Sequence, residues 1–161
     1  MATKKATKNK VKRKVNPVPK GYRTVTPTLN QADASATIAF CKKAFGAKLK
    51  AKMAGPGGKI MHSEVLINDS LIMVTDAVRE PARVSTLFLY VPNVDKTIAK
   101  AVKAGAKVLD PATDMFWGDR FGRVVDPQGN QWSIGSRVEI VREKELKKRA
   151  KAFAKQMAAG G

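Results

Sequence analysis

Apolar and polar positions change their spacing several times along the chain, and each change marks an element. β-Branched and apolar residues from Thr24 to Asn30, bounded by polar ones, predict a strand. Ala34, Ile38, Cys41 and Phe45 then recur on one face of a helix, with Asp33 as its N-cap and Gly46 as its stop. From Ala47 to Ala54, Leu49, Ala51 and Met53 alternate with Lys48, Lys50 and Lys52, which predicts a strand with one wet face. Gly55-Pro56-Gly57-Gly58 reads as a turn and not a phosphate loop, because no helix pattern follows to present an N-terminus. A strand from Lys59 to Ile67 sets Ile60, His62, Glu64 and Leu66 on one face and Met61, Ser63, Val65 and Ile67 on the other. Asn68-Asp69 turns the chain into another strand, Leu71 to Thr75.

Residues 77–85, with Pro81 and three charges, read as a linker, after which the order repeats. Thr86 to Val91 predicts a strand, and Val94 to about Ala104 a helix capped by Asn93 and stopped by Gly105. Strands follow near Lys107 to Leu109, Arg120 to Val125 and Asn130 to Gly135. Asp126-Pro127-Gln128-Gly129 closes the last hairpin, proline presetting φ and glycine tolerating the turn. Thr37-Ile38-Ala39 and Thr97-Ile98-Ala99 correspond, as do Gly46 and Gly105, which marks a duplicated βαβββ unit. Neither unit closes a core alone. The expected fold is α+β, two curled mixed sheets around a cavity with the helices outside.

Charge divides the chain differently. Of the formal net charge of +18, most lies on the ends. Residues 1–21 hold eight Lys/Arg and no acid, with too little apolar surface to offset ordering, and read as a disordered basic arm. Residues 22–138 form the domain, with units 22–76 and 85–137. Residues 139–161 form a basic amphipathic helix and tail, with Leu146, Arg149 or Ala150, Phe153 and Met157 at helical spacing. No apolar run reaches the ~20 residues of a membrane helix, and none follows the basic start as a signal peptide would. A soluble cytoplasmic protein is expected, with no membrane partner. The single cysteine, Cys41, falls in the helical pattern as a small buried apolar residue.

The stretch Asp114-Met115-Phe116-Trp117-Gly118-Asp119-Arg120-Phe121-Gly122-Arg123, followed by Asp126-Pro127-Gln128-Gly129-Asn130-Gln131-Trp132-Ser133, resembles the PhnB-like branch of the glyoxalase/bleomycin-resistance superfamily, the vicinal oxygen chelate proteins. The likeness extends back through Gly58 to Glu64 and Ala44 to Ala47 to Thr24 to Pro27. It implies the duplicated architecture and a homodimer with units paired across subunits. It also places the superfamily's metal ligands at Thr26, Met73, Thr86 and Ser133. Three hydroxyls and a thioether do not supply the imidazoles and carboxylates that hold zinc, nickel or iron, so no metal and no cofactor is expected.

The remaining candidate chemistry is sparse. His62, the lone histidine, shares a strand face with Glu64. Phe116 and Trp117 supply flat apolar area, with Asp119 and Arg120 as polar anchors or as an ion pair holding the loop; alternation turns Trp132 toward the helix. The expected ligand-binding set is His62, Glu64, Phe116, Trp117, Asp119 and Arg120, with no catalytic residue assigned. The leading reading is a metal-free protein that binds a small organic molecule. One alternative is a lyase, isomerase or dioxygenase using His62 and Glu64, with or without a metal. Another is a nucleic-acid-associated protein acting non-specifically through its basic termini.

Overall fold

The first two helices begin where their capping side chains place them. In the structure, a computed structural model that describes residues 15–159, the Asp33 carboxylate accepts a hydrogen bond from the Ala36 N–H at 2.9 Å and opens α1, Ala34–Phe45. Gly46, at φ 67°, ends it. Asn93 does the same for α2, Val94–Lys103, accepting from the Lys96 N–H at 2.8 Å. Of the basic arm expected over residues 1–21, residues 1–14 lie outside the described residues, while 15–20 are exposed and carry no helix or strand.

Eight strands form two four-stranded sheets. β1 (Thr28–Gln31), β4 (Ser70–Asp76), β3 (Ile60–Ile67) and β2 (Lys48–Ala54) make the first, in that spatial order. β5 (Thr86–Tyr90), β8 (Gln131–Arg137), β7 (Asp119–Val125) and β6 (Lys107–Asp114) make the second. In each, the first strand runs parallel to the fourth and the other pairings are antiparallel. This is the duplicated βαβββ order. A third helix, α3 (Glu143–Ala159), follows the second sheet.

One core serves both units. α1 and α2 pack against each other, and α1 reaches across to the second sheet, where Trp132 is fully buried with the rings of Phe45 and Phe40 at 4.8 and 6.3 Å. Cys41 is buried in the same core. Burial, aided by the charge of Asp126, pushes its thiol pKa up to about 12, so it is an apolar packing group and not a nucleophile.

A buried polar cluster ties the units together. The Asn130 amide donates to Gln31 Oε1 at 2.6 Å and to Asp126 Oδ2 at 2.9 Å, while Asn130 Oδ1 accepts from the Ser85 N–H at 3.0 Å. The Trp132 indole donates to Asp126 Oδ2 at 3.0 Å, and Thr37 donates to Gln31 Oε1 at 3.0 Å. Asp126, read from sequence as a turn residue, is also the buried acceptor at the centre of this cluster.

Three local expectations change. The first strand starts at Thr28, not Thr24, since Pro27 has no N–H for a ladder and Thr26 turns its hydroxyl back to the Arg23 carbonyl. β2 has no single wet face: it is an edge strand whose register slips between Leu49 and Ala51 and again between Met53 and Ala54, leaving Met53 57% exposed. β6 runs on to Asp114 through Pro111, which an edge strand tolerates.

Candidate functional site

Where the two sheets meet, their edges part. Near Gln31 and Asn130 the units are joined by hydrogen bonds, but β1 and β5 belong to separate sheets, and a cavity of about 950 Å³ opens between them. Leu29, Phe45, Leu87 and Leu89 give it apolar lining, Thr28 and Thr86 hydroxyls, and Phe88 and Tyr90 a wall of aromatic rings.

Those two rings begin a longer surface. Alternation along β5 turns Leu87 and Leu89 toward the core and leaves Phe88 and Tyr90 48% and 60% exposed. Phe88 lies against Tyr90 at 4.9 Å between centroids and stacks on Phe121 at 5.8 Å; Trp117 meets Phe121 at 5.9 Å, and Phe116 meets Trp117 at 5.0 Å. Gly135 makes this possible. A Cβ there would stand 2.9 Å from the Phe88 ring, so the missing side chain lets the ring lie across β8 to reach Phe121 on β7.

Polar groups are set into the same face. Asp119 is 1% exposed; its carboxylate accepts from the Tyr90 hydroxyl at 3.0 Å and pairs with Arg137. Burial opposes its ionisation, but hydrogen bonds from Arg137 and Tyr90, the charge of Arg137 and the Trp117 indole outweigh it, holding the Asp119 pKa below the ordinary aspartate value. A carboxylate with a depressed native pKa stabilises the fold above its unfolded pKa, and that contribution is lost as pH falls through the native value. Unfolding midpoints measured against pH are therefore expected to show Asp119→Asn less stable than the parent near neutrality. The gap should close in acid, below the ordinary aspartate range; a gap that persists there contradicts the assignment.

The six residues expected to bind a ligand separate into three places. Phe116, Trp117 and Asp119 share the aromatic face. His62 and Glu64 lie on the free face of the other sheet, His62 Nε2 3.6 Å from Glu64 Oε1, where Tyr22 donates its hydroxyl to Glu64 at 2.5 Å. That hydrogen bond raises the Tyr22 pKa. Glu64 pairs across to Met73, and Met73 to Thr28, so Glu64 stands about 10 Å from the cavity's edge by two strand spacings. Arg120 turns to the opposite side of β7 and pairs with Asp95 at the start of α2 and with Asp114, at 2.7 and 3.0 Å. None of the six lines the inter-sheet cavity itself. Phe88, Tyr90, Phe121, Gly135 and Arg137 were not in the sequence set, although the exposed face of β5 was readable from the alternation Thr86, Phe88, Tyr90.

The donors at the superfamily's metal corners do not fit a transition metal. Thr28, and not Thr26, stands beside Met73, its hydroxyl 3.4 Å from the thioether, while Ser133 pairs with Phe88. Among the described residues no three His, Cys, Asp or Glu side chains converge.

Comparison with known proteins gives a consistent picture. Residues 23–134 match the family described as the Glyoxalase/Bleomycin resistance protein/Dioxygenase superfamily. The chain is 35% identical over 134 residues to an uncharacterized Mycobacterium tuberculosis protein, Rv0887c, covering 76% of this chain and 79% of that one. An uncharacterized Mycobacterium bovis protein, Mb0911c, is equally similar, with 88% of its length covered. Among solved structures, TioX from Micromonospora sp. ML1 superposes with a TM-score of 0.62 at 22% identity, over 70% of this chain and 97% of that one. A glyoxalase-related enzyme from Fulvimarina pelagi superposes at 0.58 and 20% identity, over 71% and 87%.

Proposed function

Because this chain belongs to the glyoxalase/bleomycin resistance protein/dioxygenase superfamily, we propose that it is a metal-independent, PhnB-like member that binds a flat small organic molecule. The site is the aromatic face of the second sheet where it borders the inter-sheet cavity. One observation carries the reading: Phe88 and Tyr90 present large rings to open space, continuous with Phe121 and Trp117, beside a buried Asp119 carboxylate paired with an exposed Arg137. A planar apolar guest gains stacking area there, and the pair and the Tyr90 hydroxyl offer it hydrogen bonds. No His, Cys or Ser of this face stands beside a base that would activate it, which supports binding over covalent chemistry.

The reading includes a cytoplasmic homodimer in which a second copy's first sheet, with its His62 and Glu64, faces the aromatic surface. That arrangement would bring the two halves of the expected residue set to one ligand. Both faces are open in the single chain, as such pairing requires.

The test uses 1-anilinonaphthalene-8-sulfonate, an anionic probe with a flat naphthalene ring, suited to a domain with more basic than acidic residues. Its fluorescence titration is expected to saturate. Phe88→Ala and Gly135→Ala, the second by pushing the Phe88 ring aside, should each weaken binding about tenfold while leaving the unfolding midpoint nearly unchanged, because the ring is half exposed. Unchanged affinity in both variants would place the site elsewhere.

A further inference from the structure

α3 carries two stripes on opposite sides. At about 100° per residue, Leu146, Ala150, Phe153 and Met157 share one side, while Lys144, Lys148, Lys151 and Lys155 fall within about 60° of one another on the other. The apolar side is the one that meets the domain: the Phe153 ring lies 5.0 Å from Phe116, and Arg149, on the flank, is held by Glu139 at 2.7 Å and by Glu145 at 3.0 Å. Lys147 is paired with Glu143. The four stripe lysines are exposed and have no carboxylate within 4.0 Å among the described residues.

We infer that the outer face of α3 is a phosphate-tracking surface for nucleic acid. Four lysines span about 16 Å, a length over which one strand of a duplex presents about five phosphates. Lysine acts there as a point charge, and no aromatic or forked donor on the stripe reads a base, so the binding is sequence-blind. A lipid surface is disfavoured by the docking of the helix. An interfacial helix must sink its apolar side into the headgroup boundary, whereas here that side is turned to the domain, with Phe153 against Phe116. The eight basic residues among the first twenty of the sequence add positive charge of the same kind.

Fluorescence anisotropy of a labelled 20-base-pair duplex against the full-length protein, repeated over a range of salt, tests this. Binding should be salt-dependent, and the variant with Lys144, Lys148, Lys151 and Lys155 all changed to Gln should lose about 3–4 from the log–log salt slope. The matching Lys→Arg variant should keep the slope, and circular dichroism should show α3 intact in both. An unchanged slope in the Gln variant, no duplex binding at all, or sedimentation with phosphatidylglycerol vesicles in preference to duplex would each overturn the inference.

Discussion

Asn130→Ala is expected to destabilise the protein by about 3–4 kcal/mol. The substitution removes one side chain but strands several partners: Gln31 Oε1 and Asp126 Oδ2, both buried, and the partly buried Ser85 N–H each lose a hydrogen bond. Each unpaired buried polar group costs about 1–3 kcal/mol, and a carboxylate costs more than a neutral group. Asp126 keeps the Trp132 indole and its own turn amides, which limits the loss. The damage lies at the joint between units, since Gln31 and Asn130 are 99 residues apart in sequence. Denaturant unfolding should thus show a lower midpoint and, if the joint opens first, two transitions in place of one. A loss under about 1 kcal/mol would mean that the cluster is not what holds the units together.

The second large effect is at Gly118. Its φ of 92° lies where a side chain is strained, and an added Cβ would stand 2.4 Å from the Glu139 carbonyl oxygen and 2.9 Å from Val141. The obstacle is backbone, which cannot swing aside as a side-chain tip can. The Gly118 carbonyl also accepts from the Val138 and Glu139 N–H groups, fixing the segment that leads into α3. Gly118→Ala is therefore expected to cost about 2–3 kcal/mol from conformational strain alone, and to loosen the approach of α3 to Phe116. Thermal unfolding reads the first consequence, and hydrogen exchange over residues 138–146 the second. A stable variant with unchanged exchange would show that the 114–119 turn is not the anchor of α3.

The two positions also show how far the sequence could be read. Asn130 and Gly118 both lie in the stretch whose motif gave the family resemblance, and the turn at Asp126 to Gly129 was legible from its Pro and Gly. That Asp126 is buried, and that its partners come from the first unit, was not: nothing in local spacing reports a contact across 99 residues. Alternation put His62 and Glu64 on one face of β3 and Trp132 on the helix side, but the ion pair read between Asp119 and Arg120 is not formed: Asp119 pairs with Arg137, and Arg120 with Asp95 and Asp114. It failed along β2, because a bulge moves every later side chain to the other face without changing composition. The aromatic face illustrates the same limit. Phe116 and Trp117 announce themselves in a loop motif, but Phe88, Tyr90 and Phe121 become neighbours only through the pairing of β5 with β8 and β8 with β7.

By itself, then, the sequence determined the order of the elements, the N-caps of α1 and α2 and the duplication, because each depends on residue type and short-range periodicity. Tertiary structure alone decided which side chains share a surface: the ring-lined face at the edge of the cavity, the buried tie between units and the outward set of lysines on α3. Strand pairing and helix docking bring distant residues to within a few ångströms, and that proximity is set by the packing of the whole core.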